Sequence, residues 1–104
     1  MAIDFDISQS KVLNDLQIIT PSTFTEARGT IWTSYRQHNL AGLLPGGLDF
    51  SHDKFSVSKQ NVLRGIHGDF KTWKLVSCIS GAIFQVAVDL RETSESYLRW
   101  QGFW

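Results

Sequence analysis

The chain has 104 residues, with 10 lysines and arginines against 10 aspartates and glutamates. This length fits one small domain, and the zero formal charge argues against a protein held to nucleic acid by bulk electrostatics. Cys78 is the one cysteine, so the sequence offers no internal disulfide and no Cys/His cluster for zinc. The start "MAIDFDISQS" has acids where a secretory signal needs bases, and no run approaches the ~20 apolar residues of a membrane span. These features predict a cytoplasmic domain in a reducing setting.

Short apolar runs separated by turn residues dominate the first half of the chain. The β-branched run "LQIIT" (16–20) predicts a strand that stops at Pro21, "PSTFTEARG" (21–29) is turn-like, and "TIWTSY" (30–35) predicts a second strand. The stretch "RQHNLAGLLPGG" predicts a helical turn that ends at Pro45-Gly46-Gly47. The alternation in "LDFSHDKFSVS" (48–58) predicts a third strand.

The second half continues with four more predicted strands, "NVLRGIH" (61–67), "WKLVSCIS" (73–80), "AIFQVAVDLR" (82–91) and "YLRWQGFW" (97–104). The clearest is 82–91, where one face is apolar (Phe84, Val86, Val88, Leu90) and the other is mixed (Ile83, Gln85, Ala87, Asp89). The mixed face indicates either the lining of a cavity or ordinary surface. Short strands at turn-punctuated spacing predict an all-β sandwich or barrel.

The stretch around His67 concentrates groups that suit chemistry beside a carbonyl. On a regular strand Arg64 and His67 point to opposite faces, so a shared pocket needs a bend, which Gly65 tolerates. A hairpin through "GDFKTW" would bring Lys74 opposite His67. A histidine titrates near neutral pH and can take a proton, a lysine can stabilise an enolate oxygen, and an arginine fork matches phosphate.

Each of these residues also has an ordinary interpretation. A lone strand histidine is more often a surface or core residue than a catalyst. Lys74 alone suits a solvated charge, and Arg64 a surface ion pair. A metal site is rejected, because the usual jelly-roll pattern needs a second histidine two residues after the first, and Asp69 stands there.

The blocks "NVLRGIHGD", "KLVSCISG", "VAVDLR" and "SYLRW", with "EARGTIWTSY" upstream, together resemble the dTDP-4-dehydrorhamnose 3,5-epimerase family of nucleotide-sugar epimerases. The likeness covers about 16–104, and "HDKFSVSKQNVLRGIHGDFKTWKLV" is most similar to the branch acting on GDP-linked 4-keto-heptoses in bacterial capsule synthesis. Ile31 and Thr33 stand where the rhamnose branch has Phe and Glu, which favours a nucleotide other than thymidine.

The resemblance implies a jelly-roll (cupin-like) β-sandwich, incomplete at the C-terminus, with residues 1–104 forming one partial domain. It implies no metal or other cofactor and a homodimer with exchanged N-terminal strands. His67 resembles the base that removes protons at C3 and C5 beside the C4 ketone, and Lys74 the lysine near that ketone. The remaining substrate-binding positions are Arg28 and Arg64, which resemble diphosphate-binding arginines, and His52 and Lys54, which resemble contacts to nucleotide or sugar.

The family's proton-returning tyrosine and the carboxylate that orients its histidine have no counterpart here, since neither Tyr35 nor Tyr97 matches. Three functions follow as alternatives. The first is a nucleotide-sugar 3,5-epimerase in bacterial surface-polysaccharide (capsule or lipopolysaccharide) synthesis, an isomerase. The second is a non-catalytic remnant that binds a nucleotide sugar or pairs with a full-length relative. The third and weakest is a nucleotide-sugar ketoisomerase, for which His52 would be the second pocket histidine and His38 lies in a probable loop.

Overall fold

The computed structural model describes residues 3–104, and most of its regular elements are β-strands. The strands are β1 (Phe5–Gln9), β2 (Gln17–Pro21), β3 (Thr23–Glu26), β4 (Gly29–Trp32), β5 (Gln85–Val88) and β6 (Trp100–Phe103). One helical turn, α1 (Gln37–Leu40), runs into a short 3₁₀ segment, Ala41–Leu43. The strands pair as three separate two-stranded antiparallel sheets, β1–β2, β3–β4 and β5–β6.

The first sheet is a long hairpin in which Phe5 faces Pro21 and Gln9 faces Gln17. Its connection is shaped by Ser10, whose Oγ accepts hydrogen bonds from the backbone N–H groups of Val12 at 3.1 Å and Leu13 at 2.9 Å. The prediction of a strand at 16–20 is confirmed by β2, whereas β1 was not predicted.

The second sheet lies where a turn was predicted. Residues 21–29 were expected to be turn-like, but β3 occupies 23–26 and only Ala27 and Arg28 form the turn to β4. That part of the prediction was wrong because Pro21 and the small polar residues are typical of turns, whereas the β-branched residues among them pair across two strands. The hydroxyls of Thr25 and Thr30 hydrogen-bond across the two strands at 3.0 Å. The strand predicted at 30–35 is confirmed only as far as Trp32.

The predicted helical turn and the last two predicted strands are confirmed by α1, β5 and β6. The burial of β5, however, favours the mixed face of 82–91. Gln85 and Ala87 are half-buried and Asp89 is buried, while Phe84, Val86 and Leu90 of the apolar face are exposed. Ile83 of the mixed face is nevertheless exposed and Val88 of the apolar face is half-buried, so the burial follows neither face strictly and is deepest at Asp89.

Residues 48–84, which we call the open segment, contain no strand in the structure. The strands predicted at 48–58, 61–67 and 73–80 were therefore wrong as elements of this structure. Every residue from 51 to 84 is exposed except Leu75. Alternation of apolar and polar residues indicates which side of a strand would be buried. A strand also needs a neighbouring strand for its backbone hydrogen bonds, and residues 48–84 pair with none of the described residues.

The apolar core is correspondingly small. Within residues 3–104, the buried apolar side chains are Leu13 and Leu40. The radius of gyration is 15.4 Å, against about 13 Å for a compact domain of ~100 residues. The all-β class is confirmed, and the jelly-roll arrangement stays a prediction. Across residues 3–104, no helix has the length and apolar character to cross a membrane.

Candidate functional site

Five of the six predicted site residues lie on the open segment. His52, Lys54, Arg64, His67 and Lys74 are all exposed there. The sixth, Arg28, occupies the two-residue turn between β3 and β4, and its side chain is 85% exposed. The segment that carries the predicted chemistry is therefore the same segment that has no strand partner.

His67 and Lys74 flank a turn that Asp69 fixes. The Asp69 Oδ1 atom accepts hydrogen bonds from the backbone N–H groups of Lys71 at 2.8 Å and Thr72 at 2.6 Å. A carboxylate that accepts from the N–H groups two and three residues ahead stabilises a reversal of the chain. Ahead of His67 the chain bends at Gly65, whose φ of +112° lies in a region that L side chains avoid. Gly65 is thus a point at which the backbone departs from a regular strand, and the pocket shared by Arg64 and His67 stays a prediction.

The hydrogen bonds of this turn also stabilise the charged form of Asp69. Its pKa is lowered from the ordinary value, first by the Lys71 N–H, then by the hydrogen bonds from Thr72 and by the positive charge of Lys74. An aspartate with a lowered pKa is ionised at neutral pH. The turn therefore places a fixed negative charge near the Lys74 ammonium, on a residue that the sequence analysis had weighed only against metal binding.

The two predicted phosphate-binding arginines have local partners. Arg64 donates from Nε to the Ser58 hydroxyl at 2.9 Å, and Arg28 forms an ion pair with Glu26. Both contacts lie at the surface, where such pairs contribute little to stability and can exchange for a ligand. Among residues 3–104, no hydrogen bond or ion pair joins one predicted site residue to another, so this structure does not assemble the six into one pocket.

The densest polar cluster lies elsewhere, around Asp89, and the sequence analysis missed it. The Asp89 carboxylate accepts from the Ser94 and Ser96 hydroxyls at 2.6 Å each and from Arg91 Nε and Nη2 at 3.0 Å each. We call Asp89, Arg91, Ser94 and Ser96 the Asp89 network. The sequence feature that could have indicated this network is an aspartate on the inner side of a strand, followed two residues later by an arginine.

The Asp89 network joins the β1–β2 connection to the turn between β5 and β6. Arg91 donates to the Asp15 carboxylate at 2.8 Å and to the Asn14 carbonyl at 2.9 Å, and Ser96 Oγ accepts from the Asn14 N–H at 2.9 Å. The Arg91 hydrogen bonds, followed by those from the two serines, hold the pKa of Asp89 far below its usual range. Asp89 and then Asp15 raise the pKa of Arg91. The network thus joins distant parts of the chain, although the Arg91 side chain remains 47% exposed.

Two shallow depressions mark the described surface, and neither is lined by a predicted site residue. One, of about 490 Å³, lies beside the Asp89 network between Asn14 and Glu95, and the other, of about 340 Å³, lies between Asp4 and Ser22. Across the part of the chain that the structure describes, no group of three His, Cys, Asp or Glu residues is placed to hold a metal ion.

Comparison with known proteins identifies the family of the chain. The sequence profile of the family described as dTDP-4-dehydrorhamnose 3,5-epimerase matches residues 10–104. Curated relatives with that name are 40% identical over 91 residues in Salmonella typhimurium, 39% over 93 in Escherichia coli K12 and 40% over 89 in Methanothermobacter thermautotrophicus. These alignments cover 85%, 86% and 82% of this chain.

The same alignments cover 50%, 50% and 46% of the three relatives. The chain therefore spans about half the length of the curated relatives it matches. Because the family profile matches nearly all of its residues, the chain belongs to the dTDP-4-dehydrorhamnose 3,5-epimerase family. The resemblance stated from the sequence is thus confirmed at the level of the family.

Proposed function

We propose that this chain carries the proton-abstracting part of a nucleotide-sugar 3,5-epimerase, acting on a sugar nucleotide with a ketone at C4. The observation that carries the proposal is family membership over residues 10–104, a range that includes all six predicted site residues. The exposure of His67 and Lys74 on either side of one turn is compatible with it. The relatives' names specify a dTDP-linked sugar, whereas the likeness of 52–76 favours a GDP-linked one.

The chemistry needs a base and a neighbouring cation. A hydrogen on C3 or C5 is acidic because the electrons of its broken C–H bond move onto the C4 carbonyl oxygen. The neutral His67 imidazole would take that proton, and the Lys74 ammonium would stabilise the enolate oxygen that forms. When the electron pair returns to carbon, a proton from solvent or from a second acid completes the exchange. Delivery from the opposite face would invert the centre.

The remaining predicted residues would bind the substrate. The guanidinium groups of Arg64 and Arg28 suit the diphosphate, because each presents a planar fork of donors to phosphate oxygens. His52 and Lys54 would contact the nucleotide or the sugar. Arg28 lies in the β3–β4 turn, away in sequence from the other five, which suits an arginine that acts across a dimer.

The family likeness extends this proposal to the assembled protein. We infer a jelly-roll sandwich, a homodimer in which the N-terminal strands exchange between subunits, and a cytoplasmic place in the synthesis of bacterial surface polysaccharide. The β1–β2 hairpin supports the exchange, since it contacts the rest of the described chain mainly through the Asn14 and Asp15 turn and Ser10, whose hydroxyl bonds Gln101 at 2.5 Å.

A second function is favoured by one observation. The predicted catalytic segment has no strand partner among the residues that the structure describes. A protein in this state could bind a nucleotide sugar, or pair with a longer relative, without turnover. In that case binding would survive the replacement of His67 by a residue that cannot act as a base.

Exchange with deuterated water tests the proposal. The chain is incubated in D₂O with a dTDP-linked and, separately, a GDP-linked 4-keto sugar, and deuterium at C3 and C5 is followed by NMR. The proposal expects incorporation by the wild-type chain and its loss in His67→Asn, while the matched variant His38→Asn, outside the open segment, keeps it. Binding without incorporation in the wild type would instead establish the non-catalytic function.

A further inference from the structure

Asp69 lies between the proposed base and the proposed cation, two residues after His67 and five before Lys74. Its Oδ1 atom accepts hydrogen bonds from the backbone N–H groups of Lys71 at 2.8 Å and Thr72 at 2.6 Å. Both bonds have a charged acceptor, which makes them roughly twice as strong as bonds between neutral groups. One carboxylate oxygen therefore closes the turn that separates the two residues.

The proposed chemistry requires this turn because of the length of chain between base and cation. Residues 67 and 74 are seven residues apart, and seven residues of extended chain span roughly 23–25 Å. The imidazole must come within hydrogen-bond reach of a proton on C3 or C5, while the ammonium reaches the oxygen on the adjacent C4. An extended chain does not satisfy both distances, whereas a chain that reverses at 69–72 does.

The bend at Gly65 constrains His67 from the other side. A Cβ atom placed on Gly65 would lie 3.6 Å from both the N and the Nδ1 atoms of His67, so the near edge of the imidazole ring lies beside the glycine. Residues 68–74 are all exposed and have no packed neighbour to hold them. The bend therefore limits the position of the base, and the hydrogen bonds of Asp69 determine where the cation lies relative to it.

The charge of Asp69 acts in the same direction. The pKa of Asp69 is lowered first by the Lys71 N–H, then by the hydrogen bonds from Thr72, and further by the positive charge of Lys74. The carboxylate is therefore ionised across the pH range in which a histidine titrates. Attraction between exposed charges is weak, so it draws the Lys74 side chain toward the turn and still leaves the ammonium free to meet a substrate.

We propose that Asp69 is a positioning residue for proton abstraction. Through the hydrogen bonds that close the turn at 69–72, it sets the separation between the His67 imidazole and the Lys74 ammonium. It does not touch the substrate and takes no proton in the reaction. The inference rests on the proposed function, because it gives Asp69 a part in that reaction.

A distance measurement tests the geometric part of this proposal without any substrate. In a Cys78→Ser background, which removes the exposed native thiol, Lys74→Cys carries a nitroxide label, and the broadening of the assigned His67 ring protons reports how close residues 67 and 74 lie. We expect strong broadening that falls in Asp69→Ala and is mostly kept in Asp69→Asn, whose amide oxygen accepts the same N–H groups. Equal broadening with aspartate and with alanine at residue 69 would overturn the proposal.

Deuterium entry tests the kinetic part. Its rate at C3 and C5 of a 4-keto sugar nucleotide is measured at several substrate concentrations. We expect Asp69→Ala to lower the maximal rate at least about tenfold, as expected for a misplacement of about 1 Å. KM should stay within about twofold, because the proposed substrate-binding residues lie outside 69–72. Asp69→Asn should recover most of the rate.

The matched control is Asp6→Ala, which removes an exposed carboxylate on β1 and should leave both the broadening and the rate unchanged. A change in KM alone, equal rates in the wild type and Asp69→Ala, or no recovery in Asp69→Asn would each overturn the positioning role.

The outcome is separable from that of the proposed function. Absence of deuterium entry in the wild type would overturn the proposed function and the positioning role with it. Entry that is lost in His67→Asn and unaffected by Asp69→Ala would support the proposed function and overturn the role of Asp69 alone.

Discussion

Asp89 is the residue whose surroundings constrain it most. Five donor atoms from three residues, Arg91, Ser94 and Ser96, converge on its carboxylate. These donors stabilise the charged form, so the folded-state pKa lies below that of the unfolded chain. A group with a lowered folded-state pKa contributes stability that is complete above the unfolded pKa, about 3.9, and is lost as the pH falls from there through the folded pKa.

The first prediction concerns this ionisation. The chemical shift of the Asp89 carboxyl carbon, measured by ¹³C NMR, should not change from pH 7 down to about 4, where an aspartate in a model peptide titrates. The shift should begin to change only well below that pH. The exchange protection of the Leu98 amide, which donates to the Asp89 carbonyl at 2.7 Å, should stay constant over the same range. A midpoint at or above 4 would contradict the network described here.

The second prediction concerns Asp69, whose carboxylate fixes the turn between His67 and Lys74. Asp69→Ala removes the acceptor for two N–H groups and should make the Thr72 amide exchange about five to ten times faster, as expected for the loss of a hydrogen bond worth about 1 kcal/mol. Asp69→Asn keeps an acceptor oxygen and should retain most of the protection. If alanine and asparagine behave alike, the side chain does not hold the turn.

At this scale the gathering of Arg64, His67 and Lys74 in one pocket stays a prediction. The sequence indicates that such a pocket needs a departure from regular strand geometry near Gly65, because Arg64 and His67 fall on opposite faces of a regular strand. The contacts of the Asp89 network with the β1–β2 connection could not be foreseen, since Asn14 and Asp15 are more than 70 residues away from Ser96 and Arg91. Local alternation contains no information about such distant donors.

At the scale of elements, β5 and β6 show a contact that depends on a glycine. The Phe84 ring lies over Gly102, where a Cβ atom would come within 2.4 Å of Cζ, and it contacts Trp104 with ring centroids 4.9 Å apart. Gly102 faces Val86 in the ladder. An aromatic ring that covers a strand glycine protects the ladder beside it.

The third prediction tests this contact. Gly102→Ala should displace the Phe84 ring and abolish its contact with Trp104, a loss of about 0.5–1.5 kcal/mol, while the β5–β6 hydrogen bonds persist. Aromatic proton shifts of Phe84 and exchange of the Ala87 amide would report the two effects. In a Phe84→Leu background the same glycine substitution should lower the free energy of unfolding by less. An equal loss in the two backgrounds would show that the Phe84 ring does not cause the destabilisation.

Elements that depend on neighbours close in sequence were predicted well. The strands β2, β5 and β6 and the turn at α1 follow from short apolar runs with flanking breakers. The failure at β3 arose because Pro21 and small polar residues suggest a turn, while Thr25 and Thr30 meet only once the pairing forms. The strands predicted in 48–84 failed for a different reason, since their residues suit strands but have no partner in the described chain.

At the scale of the whole molecule, apolar burial is small for 104 residues. Burying a leucine contributes roughly 1.5–3 kcal/mol, and Leu13 and Leu40 are the buried apolar residues of the described chain. The stability of a domain of this length depends on burying many apolar side chains, so cooperative folding of the whole chain needs additional buried surface.

The fourth prediction follows from this shortage of core. Alone, the chain should unfold over a broad range of urea concentration. Its free energy of unfolding should fall with urea less steeply than that of a compact ~100-residue domain, because unfolding exposes little new surface. It should also bind the dye ANS or associate. Circular dichroism against urea and sedimentation would measure both. A sharp transition from a monomer that binds no dye would contradict the open structure.

The proposed function requires that the His67 imidazole removes a proton beside a C4 ketone. The rate at which solvent deuterium enters C3 and C5 of a 4-keto sugar nucleotide measures this step directly. We expect the rate to fall by about 10²-fold or more in His67→Asn, the scale of a lost general base, and to be unchanged in His38→Asn. Equal entry in the wild type and His67→Asn would contradict it.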